Sequence, residues 1–367
     1  MTESMRELRI SPAAISANVE KLIADAGTPD AMVVVKADGY GHGAIVAARA
    51  ALEGGASWLG TADITEALEL REAGIDAPTL AWLIGPDSDL EAALSANIDL
   101  GISSLGQLEA VAHAASGTKR AQVHLKIDSG MGRGGATETD WAEFFSRART
   151  LQNAGAITVR GVFTHMSLKS KESDVEQADV FRRAVGLLEE LGVHPQWRHA
   201  ASSTVSARSS ELRFDMVRLG VASYGVPVTA SHHAMNLRPA MRFRGQVILV
   251  KQLPAGHGVG YDLTYITSAD TTVALVPLGY ADGVPRHGSS LGPVAIGGER
   301  FHVSGRVSMD QITIDVGKTP VELGDWATLW GEPELGEPHV SEWAEAIGTN
   351  SYELITRIGR RVKRVIE

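Results

Sequence analysis

A lysine stands at the end of an apolar run and is followed at once by a turn rich in glycine. Residues 33–43 read VVVKADGYGHG, so that Lys36 closes a run of valines. Valine runs of this kind are typical of a buried strand. Burial lowers the pKa of a lysine amine and makes it a usable nucleophile, and the glycines allow backbone to approach a ligand closely. The alternative is a lysine that extends along the surface to reach solvent.

Further cationic or imidazole side chains stand at, or shortly after, the ends of other apolar runs. They are Lys126, Arg133, His165, His199 and Arg218. Lysine and arginine bind carboxylate and phosphate groups. Together with Lys36 these residues would therefore form a site for an anionic cofactor or substrate. That requires a fold which brings the ends of the runs to one place.

The order of apolar runs and amphipathic stretches predicts such a fold. We predict strands at 32–37, 58–62, 79–85, 98–104, 121–128, 159–166, 197–201 and 215–219. Helical patterns lie between them, among them 64–73, 105–115, 141–153 and 175–191. Strands that alternate with helices predict an α/β fold, a (β/α)8 TIM barrel. The active site of such a barrel lies at the carboxyl ends of its strands, which is where the polar residues stand.

Beyond residue 228 the pattern changes. Segments separated by glycine turns are β-rich, at 241–253, 271–278, 293–304, 311–316 and 325–330, and one helical stretch lies near 340–358. We predict a barrel domain over residues 1–228 and a mostly β C-terminal domain over 229–367, with which the first ten residues or so would pair.

The segment 229–236 is predicted to be a linker between the two domains. It contains a pair of histidines, His232 and His233. No acidic or histidine partner lies at the spacing of a metal site. We therefore expect both imidazoles to be solvated, and we expect no metal site.

Composition excludes several classes of function. The chain has 367 residues, enough for a barrel and a smaller domain, and its formal net charge of −10 argues against nucleic acid or an anionic membrane as a partner. No apolar stretch is long enough to span a bilayer, and residues 1–10 lack the apolar region of a signal peptide. The absence of cysteine excludes disulfides and thiolate sites and is consistent with a cytoplasmic protein.

Residues 130–135 match the pattern G-x-G-x-x-G of dinucleotide-binding proteins. That pattern requires an acidic residue about 20 positions later to bind the ribose, and it belongs to a first βαβ unit. Residues 149–157 contain no acidic residue, and the match follows the fifth predicted strand. It therefore does not indicate a dinucleotide site.

The segment around Lys36 resembles the signature around the cofactor lysine of the alanine racemases, which bind pyridoxal 5′-phosphate (PLP). Further stretches match that family in order and spacing along almost the whole chain, at 124–133, 163–165, 199–203, 217–220, 259–261, 279–283 and 308–311. The resemblance implies a barrel followed by a β domain, arranged as a head-to-tail homodimer. Each active site would lie between the barrel of one subunit and the β domain of the other.

The resemblance implies two bases. Lys36 would hold PLP covalently through its amine and, once released by the substrate amine, act as one base. Tyr261 of the partner subunit would be the other, because racemisation removes a proton on one face of Cα and delivers one on the opposite face. A phenol has an ordinary pKa of about 10, so His165 and Arg218 would have to favour its ionised form by their charge. Taken alone, the sequence favours an ordinary loop tyrosine at this position.

Other roles follow from the same resemblance. Arg218 would donate to the pyridine nitrogen, which then stays unprotonated and makes the ring a weaker electron sink. Arg133 would bind the phenolic oxygen of PLP and the substrate carboxylate. Lys126 is carbamylated in many relatives, which supplies a carboxylate that orients this arginine. Met309 of the partner subunit would offer its N–H to the substrate carboxylate.

The phosphate of PLP would be held after the last two barrel strands, the usual place in such barrels. The residues implied are Tyr40, Ser203 and the backbone amides of Gly220 and Val221. Supporting positions are His199 and, along the entry route, Tyr280 and Arg286.

Three positions depart from the family pattern. Ser202 stands where many relatives have asparagine, and Asp262 follows Tyr261 where glycine is common. Residues 360–364 read RRVKR in place of a pattern that often carries a phosphate-binding tyrosine. Arg360 is the candidate to make that phosphate contact instead.

The resemblance therefore implies a racemase that interconverts L- and D-alanine and supplies D-alanine for peptidoglycan. A racemase of broader specificity, for example for serine, is the nearest enzymatic alternative. Basic amino-acid decarboxylases share the two-domain plan, but the matches at 259–261 and 308–310 favour racemisation. A non-catalytic PLP-binding protein is the alternative from another class, although small relatives of that kind consist of the barrel alone.

Overall fold

The computed structural model describes residues 4–115 and 119–367. An eight-stranded parallel barrel forms the N-terminal part. Its strands are β2 (Asp30–Val34), β3 (Trp58–Asp63), β4 (Thr79–Leu83), β5 (Asp99–Ile102), β6 (Ala121–Lys126), β7 (Ile157–Phe163), β8 (Trp197–His199) and β9 (Met216–Leu219). Neighbours pair in the order β8-β7-β6-β5-β4-β3-β2-β9, and a single bridge between Ser202 and Arg218 nearly closes the circle. The predicted (β/α)8 barrel is confirmed.

Helices cover the outside of the barrel. They are α1 (Pro12–Ala26), α3 (Ala44–Glu53), α4 (Ile64–Glu72), α5 (Leu90–Ser95), α6 (Leu105–Ala114), α7 (Trp141–Asn153), α8 (Lys171–Glu190) and α9 (Ser203–Arg208). A short turn, α2 (Lys36–Tyr40), lies between β2 and α3. Helix α8 begins before the predicted position because Ser170 caps it, accepting a hydrogen bond from the N–H of Ser173 at 3.1 Å.

Large side chains close the barrel at the amino ends of its strands. They are Met32, Trp58, Leu80, Trp197 and Met216. The Arg160 guanidinium lies 4.9 and 4.8 Å from the ring centroids of Trp58 and Trp197, so its charge is spread over two aromatic faces. The opposite, carboxyl end is therefore the end at which a ligand can enter.

The C-terminal part is mostly β. One sheet has the order β16-β15-β18-β10-β1-β19, from strands β1 (Arg6–Ile10), β10 (Met241–Gln246), β15 (Pro293–Ile296), β16 (Glu299–His302), β18 (Trp326–Trp330) and β19 (Lys363–Ile366). A second contains β11 (Leu249–Leu253), β14 (Thr271–Val276) and β17 (Ile312–Gly317), and a hairpin pairs β12 (Gly258–Val259) with β13 (Tyr265–Ile266). The helices are α11 (Val340–Ile347) and α12 (Ser351–Thr356).

The segment 229–236 is not an open linker, because α10 (Ala230–Ala234) forms there. The expectation that both of its histidines are solvated is wrong for His232, which is 1% exposed. Its Nδ1 accepts a hydrogen bond from the N–H of Val228 at 3.4 Å, and burial lowers the pKa of this imidazole. His233 is exposed.

Within residues 4–115 and 119–367, no helix combines the length and the apolarity needed to cross a bilayer. In the same ranges, no three histidine, aspartate or glutamate side chains are grouped so that they could hold a metal ion.

Candidate functional site

A cavity of about 220 Å³ lies at the carboxyl end of the barrel. Most of the predicted site residues line it: Lys36, Tyr40, Lys126, Arg133, His165, Ser203, Arg218, Gly220 and Val221. Apolar walls come from Val34, Trp82, Phe163 and Leu168. Four of the lining residues are lysine or arginine, and none of those in the described ranges is acidic. Such a charge balance suits an anionic ligand.

Lys36 begins a turn of unusual handedness. Residues 37–40 have φ angles between 53° and 60°, the left-handed region that glycine alone adopts freely. Such strain persists where the surroundings hold it. Here the Glu66 side chain accepts a hydrogen bond from the N–H of Ala37 at 2.7 Å. The turn directs Tyr40, four residues after the lysine, into the same cavity.

Both lysines of the cavity have a lowered pKa. Burial is the main cause for Lys36, and the charge of Arg133 adds to it. For Lys126 burial is again the main cause, followed by Arg133 and Arg218. A lowered pKa increases the fraction of the amine that is unprotonated at neutral pH and so available as a nucleophile or a base, and both lysines are therefore candidates for chemistry.

Arg218, on β9, holds its charge inside the barrel, and no carboxylate of residues 4–115 or 119–367 pairs with it directly. Its Nη1 donates to the backbone oxygen of His199 at 2.8 Å, and its Nη2 donates to those of Thr164 at 2.6 Å and Ala200 at 3.1 Å. Burial lowers the pKa of this guanidinium to about 10. It therefore remains a cation at neutral pH.

Two histidines connect Arg218 to a buried carboxylate. Because arginine has only donors, the His199 Nδ1, 3.0 Å from Nη1, must accept. The His199 Nε2 then carries the proton and donates to His124 Nδ1 at 2.9 Å. This leaves the second proton of the series on His124 Nε2, which faces Asp99 at 3.4 Å. Asp99 also pairs with Arg160 at 3.0 Å, so the series ends beside a buried ion pair.

His165 is neutral in this site. Burial lowers its pKa to about 3, and Arg218 and Arg133 contribute to the decrease by their charge. The expectation that His165 supplies positive charge to its surroundings is therefore wrong. Its Nδ1 lies 3.4 Å from the Arg218 Nη2, so the guanidinium is the cation of this pair.

One end of the cavity is built from small groups. The Ser203 hydroxyl accepts a hydrogen bond from the N–H of Gly220 at 2.9 Å. A Cβ on Gly220 would lie 3.0 Å from the Tyr40 hydroxyl, so the space beside this oxygen depends on the missing side chain. Nearby Ser202 has a buried Oγ without a hydrogen-bond partner among the described residues. An unpaired buried hydroxyl is costly unless a ligand satisfies it.

Tyr352, from α12 of the C-terminal part, also lines the cavity. Its ring centroid lies 6.2 Å from that of Tyr40. Sequence reasoning missed it and named Arg360, which is exposed and does not line the cavity. The available signal was the cap at Asn350, which accepts from the N–H of Glu353 at 3.0 Å. This cap predicts that a helix begins after Asn350, but it does not predict that Tyr352 lines the cavity.

His199, behind Arg218, does not line this cavity, and four other predicted site residues lie farther from it on the C-terminal part. Tyr261, Met309, Tyr280 and Arg286 are exposed on the C-terminal part. Tyr261 is 69% exposed, and in the described ranges its hydroxyl has no hydrogen-bond partner. A single chain does not bring these side chains together with Lys36.

Comparison with known families matches both parts of the chain. Residues 10–227 match the model described as alanine racemase, N-terminal domain, and residues 240–366 match the model described as alanine racemase, C-terminal domain. The alanine racemase of Thermobifida fusca is 45% identical over 99% of this chain and 98% of its own length. That of Salinispora tropica is 46% identical over 96% of this chain and 95% of its own.

Solved structures agree with these matches. The alanine racemase from D-cycloserine-producing Streptomyces lavendulae is 42% identical and superposes with a TM-score of 0.97, covering 100% of this chain and 98% of its own. The alanine racemase from Bacillus anthracis with bound L-Ala-P is 31% identical, with a TM-score of 0.88 over 100% of this chain and 96% of its own. The barrel, the lysine at its mouth and these full-length likenesses agree: the chain belongs to the alanine racemase family.

Proposed function

We propose that this protein uses PLP to interconvert L-alanine and D-alanine. The observation that carries the proposal is the cavity, where the Lys36 amine with its lowered pKa lies among three further cations and a buried, unpaired hydroxyl. The relative from Bacillus anthracis, solved with bound L-Ala-P, supports alanine as the substrate.

The residues present fit PLP, which carries an aldehyde, a phenolic oxygen and a phosphate. Lys36 would hold the aldehyde carbon, because an amine with a lowered pKa is nucleophilic near neutral pH. Tyr40, Ser203, Tyr352 and the amides of Gly220 and Val221 would hold the phosphate, and Ser202 has a free hydroxyl for an oxygen-rich ligand. When bound, PLP withdraws electrons from Cα of the amino acid and so makes its proton removable.

Two groups would then handle the proton, one on each face of Cα. Lys36 moves it on one face, and Tyr261 of the partner subunit moves it on the other. Support for a shared site comes from exposure, since Tyr261, Leu263, Ile266 and Met309 are all more than half exposed on one chain. Exposed apolar residues of this kind mark an interaction surface, and a homodimer would cover them.

The cations have separate tasks in this proposal. Arg218 would donate to the ring nitrogen, and the hydrogen-bonded series of His199 and His124 behind it would keep the guanidinium in place. Arg133 binds the substrate carboxylate. Lys126 and Arg133 are both cations of one cavity, and carbamylation of the Lys126 amine would turn this repulsion into an ion pair.

The biological role we propose is cytoplasmic supply of D-alanine for peptidoglycan.

We also propose that the barrel domain ends at residue 228 and that the C-terminal domain begins at residue 229. Pairing of β1 with both β10 and β19 supports the assignment of the first ten residues to the C-terminal domain.

A chiral assay tests the proposed function. Purified protein supplied with PLP is incubated separately with L-alanine, D-alanine, L-serine and L-lysine, and the enantiomers are separated by chromatography. Both alanine enantiomers should reach the same equal mixture, because they have the same free energy. A higher kcat/KM with serine would favour the broader racemase, and release of carbon dioxide from lysine would favour a decarboxylase. If the α-proton of none of these amino acids exchanged in D2O, the proposal that the protein is an enzyme acting on them would be rejected.

The phosphate end offers a separate test by substitution of a glycine. In Gly220→Ala the new Cβ would force the Tyr40 hydroxyl to move, so the dissociation constant of PLP should rise by about tenfold, which is ~1.4 kcal/mol. Gly106→Ala is the matched control, because a Cβ there meets no atom within 4 Å. Titration of both apoproteins with PLP, followed by visible absorbance, measures the difference. If both variants bound PLP with equal affinity, the proposal that its phosphate lies beside Gly220 would be rejected.

A further inference from the structure

The loop that carries Tyr261 adopts a conformation that its sequence does not favour. Asp262 has φ 59° and Leu263 has φ 48°. Aspartate tolerates this left-handed region better than most residues, but leucine does not. Two such residues in succession persist only where neighbouring structure holds them.

Three contacts hold this loop. The hairpin of β12 and β13 closes its base. Leu263 covers Gly258, where a Cβ would lie 2.7 Å from the Leu263 Cβ. At the tip, Asp262 Oδ2 pairs with Arg306 Nε at 2.9 Å. The Arg306 Nε is out of solvent and its N–H makes no hydrogen bond in the described part of the chain, so the contact with the Asp262 carboxylate is an ion pair without hydrogen-bond geometry.

Backbone contacts bring the Arg306 segment against the same loop. A Cβ on Gly305 would lie 2.6 Å from the oxygen of Val259, and one on Gly260 would lie 3.4 Å from the N of Arg306. Both glycines have a positive φ, 82° and 75°. The two segments therefore approach each other as closely as backbone allows, and the ion pair sets their relative position at the tip.

The Arg306 segment continues directly to Met309. There the backbone oxygens of Ser308 and Met309 accept hydrogen bonds from the N–H groups of Tyr280 and Ala281, both at 3.0 Å. Arg361 adds an ion pair to Asp310 at 2.7 Å. The Met309 segment is thus anchored on one side, and the Asp262–Arg306 pair links the Tyr261 loop to this anchored segment.

We propose that Asp262 is a positioning residue for Tyr261, and that its ion pair with Arg306 holds the tyrosine loop in fixed relation to the Met309 segment. The inference rests on the proposed function, in which both segments enter the site of the partner subunit. Many relatives have glycine at this position, which leaves the backbone free. In this chain the Asp262 carboxylate would instead fix the orientation of the tyrosine loop.

The expected effect is on the reaction and not on folding. The Asp262 and Arg306 side chains are 69% and 34% exposed, and exposed ion pairs contribute little to stability. A small displacement of a proton-transferring group, in contrast, slows a reaction strongly. We therefore expect kcat to fall in variants whose melting temperature is unchanged.

Two substitutions separate charge from backbone. Asp262→Asn keeps a residue that tolerates a positive φ and removes the charge, whereas Asp262→Gly relieves the backbone and also removes the pair. Both should lower kcat for alanine by about tenfold with KM little changed. Asp179→Asn, which removes a 2.7 Å surface ion pair of α8 with Arg182, is the control and should leave kcat unchanged.

Isotope effects show whether Tyr261 is the affected group. Because alanine enantiomers have equal free energies, kcat/KM must fall equally in both directions and cannot identify the slowed step. With alanine deuterated at Cα, the primary isotope effect in Asp262→Asn should rise for the enantiomer whose proton Tyr261 removes and should not rise for the other. Arg306→Gln should reproduce this asymmetry, and the double variant should be no slower than either single variant.

The outcomes distinguish the inference from the proposed function. Wild-type kcat in both Asp262 variants, or isotope effects that change equally for both enantiomers, would overturn the positioning role while the wild-type protein still racemises alanine. A wild-type protein that neither racemises alanine nor exchanges its α-proton would reject the proposed function itself.

Discussion

Lys36→Ala should lower kcat/KM for alanine by at least about 10³-fold, which is within the range for loss of an acid–base group. It should also remove the covalent link to PLP. In the wild-type protein, borohydride reduction followed by digestion and mass spectrometry should find the cofactor on the peptide that contains Lys36. The variant should show no adduct on that peptide, because the amine that forms the link is missing. Its fold should persist, since Lys36 makes no hydrogen bond through its side chain in the described part of the chain.

The second lysine of the cavity provides the control. Lys126 also has a lowered pKa caused mainly by burial, so chemistry alone does not decide between the two amines. Lys126→Met should keep the adduct on Lys36 even where the loss of the proposed ion pair between carbamylated Lys126 and Arg133 lowers activity. Finding the adduct on the Lys126 peptide would reject the assignment of Lys36.

Tyr261→Phe should lower kcat by about 10²–10⁴-fold, because one face of Cα loses the group that moves its proton. The melting temperature should stay the same, since the side chain is 69% exposed. PLP should remain bound, as Tyr261 does not line the cavity that contains Lys36. Steady-state rates in both directions, visible absorbance and thermal unfolding measure these three effects.

A mixture of two inactive variants tests whether the site is shared. When Lys36→Ala and Tyr261→Phe subunits exchange, each mixed dimer would contain one site with both groups intact. Activity should return to roughly one quarter of the wild-type value, because half of the randomly assembled dimers are mixed and half of their sites work. Lys36→Ala mixed with Arg133→Ala should regain nothing, as both changes lie in the barrel. No recovery despite subunit exchange, shown with differently tagged chains, would place the whole site in one chain.

Much of the barrel site was predictable because its residues occupy equivalent places in a repeated pattern. Lys126, His165 and Arg218 stand at or just after the ends of strands, and the carboxyl ends of parallel strands meet at one face. Periodicity alone therefore brings these side chains together. All three line the cavity with Lys36.

The conformation around Lys36 was not predictable in the same way. Residues 37–40 form a left-handed turn that contains a single glycine, and Glu66, from another helix, holds its first N–H. Local propensity favours other conformations at the remaining three positions. The tertiary contact with Glu66 overrides that propensity. The residues of the turn themselves do not predict this contact.

The amino-acid sequence by itself determined the order of strands and helices, the end of the barrel at which the cations meet and, through its motifs, the family. Only the tertiary structure decided that Tyr352 completes the cavity, that His165 is neutral, and that Asp262 pairs with Arg306. The physical reason is that a hydrophobic period is a local property of the chain. Burial, charge coupling and ion pairing depend on groups that are distant in sequence, so they exist only once the chain has folded.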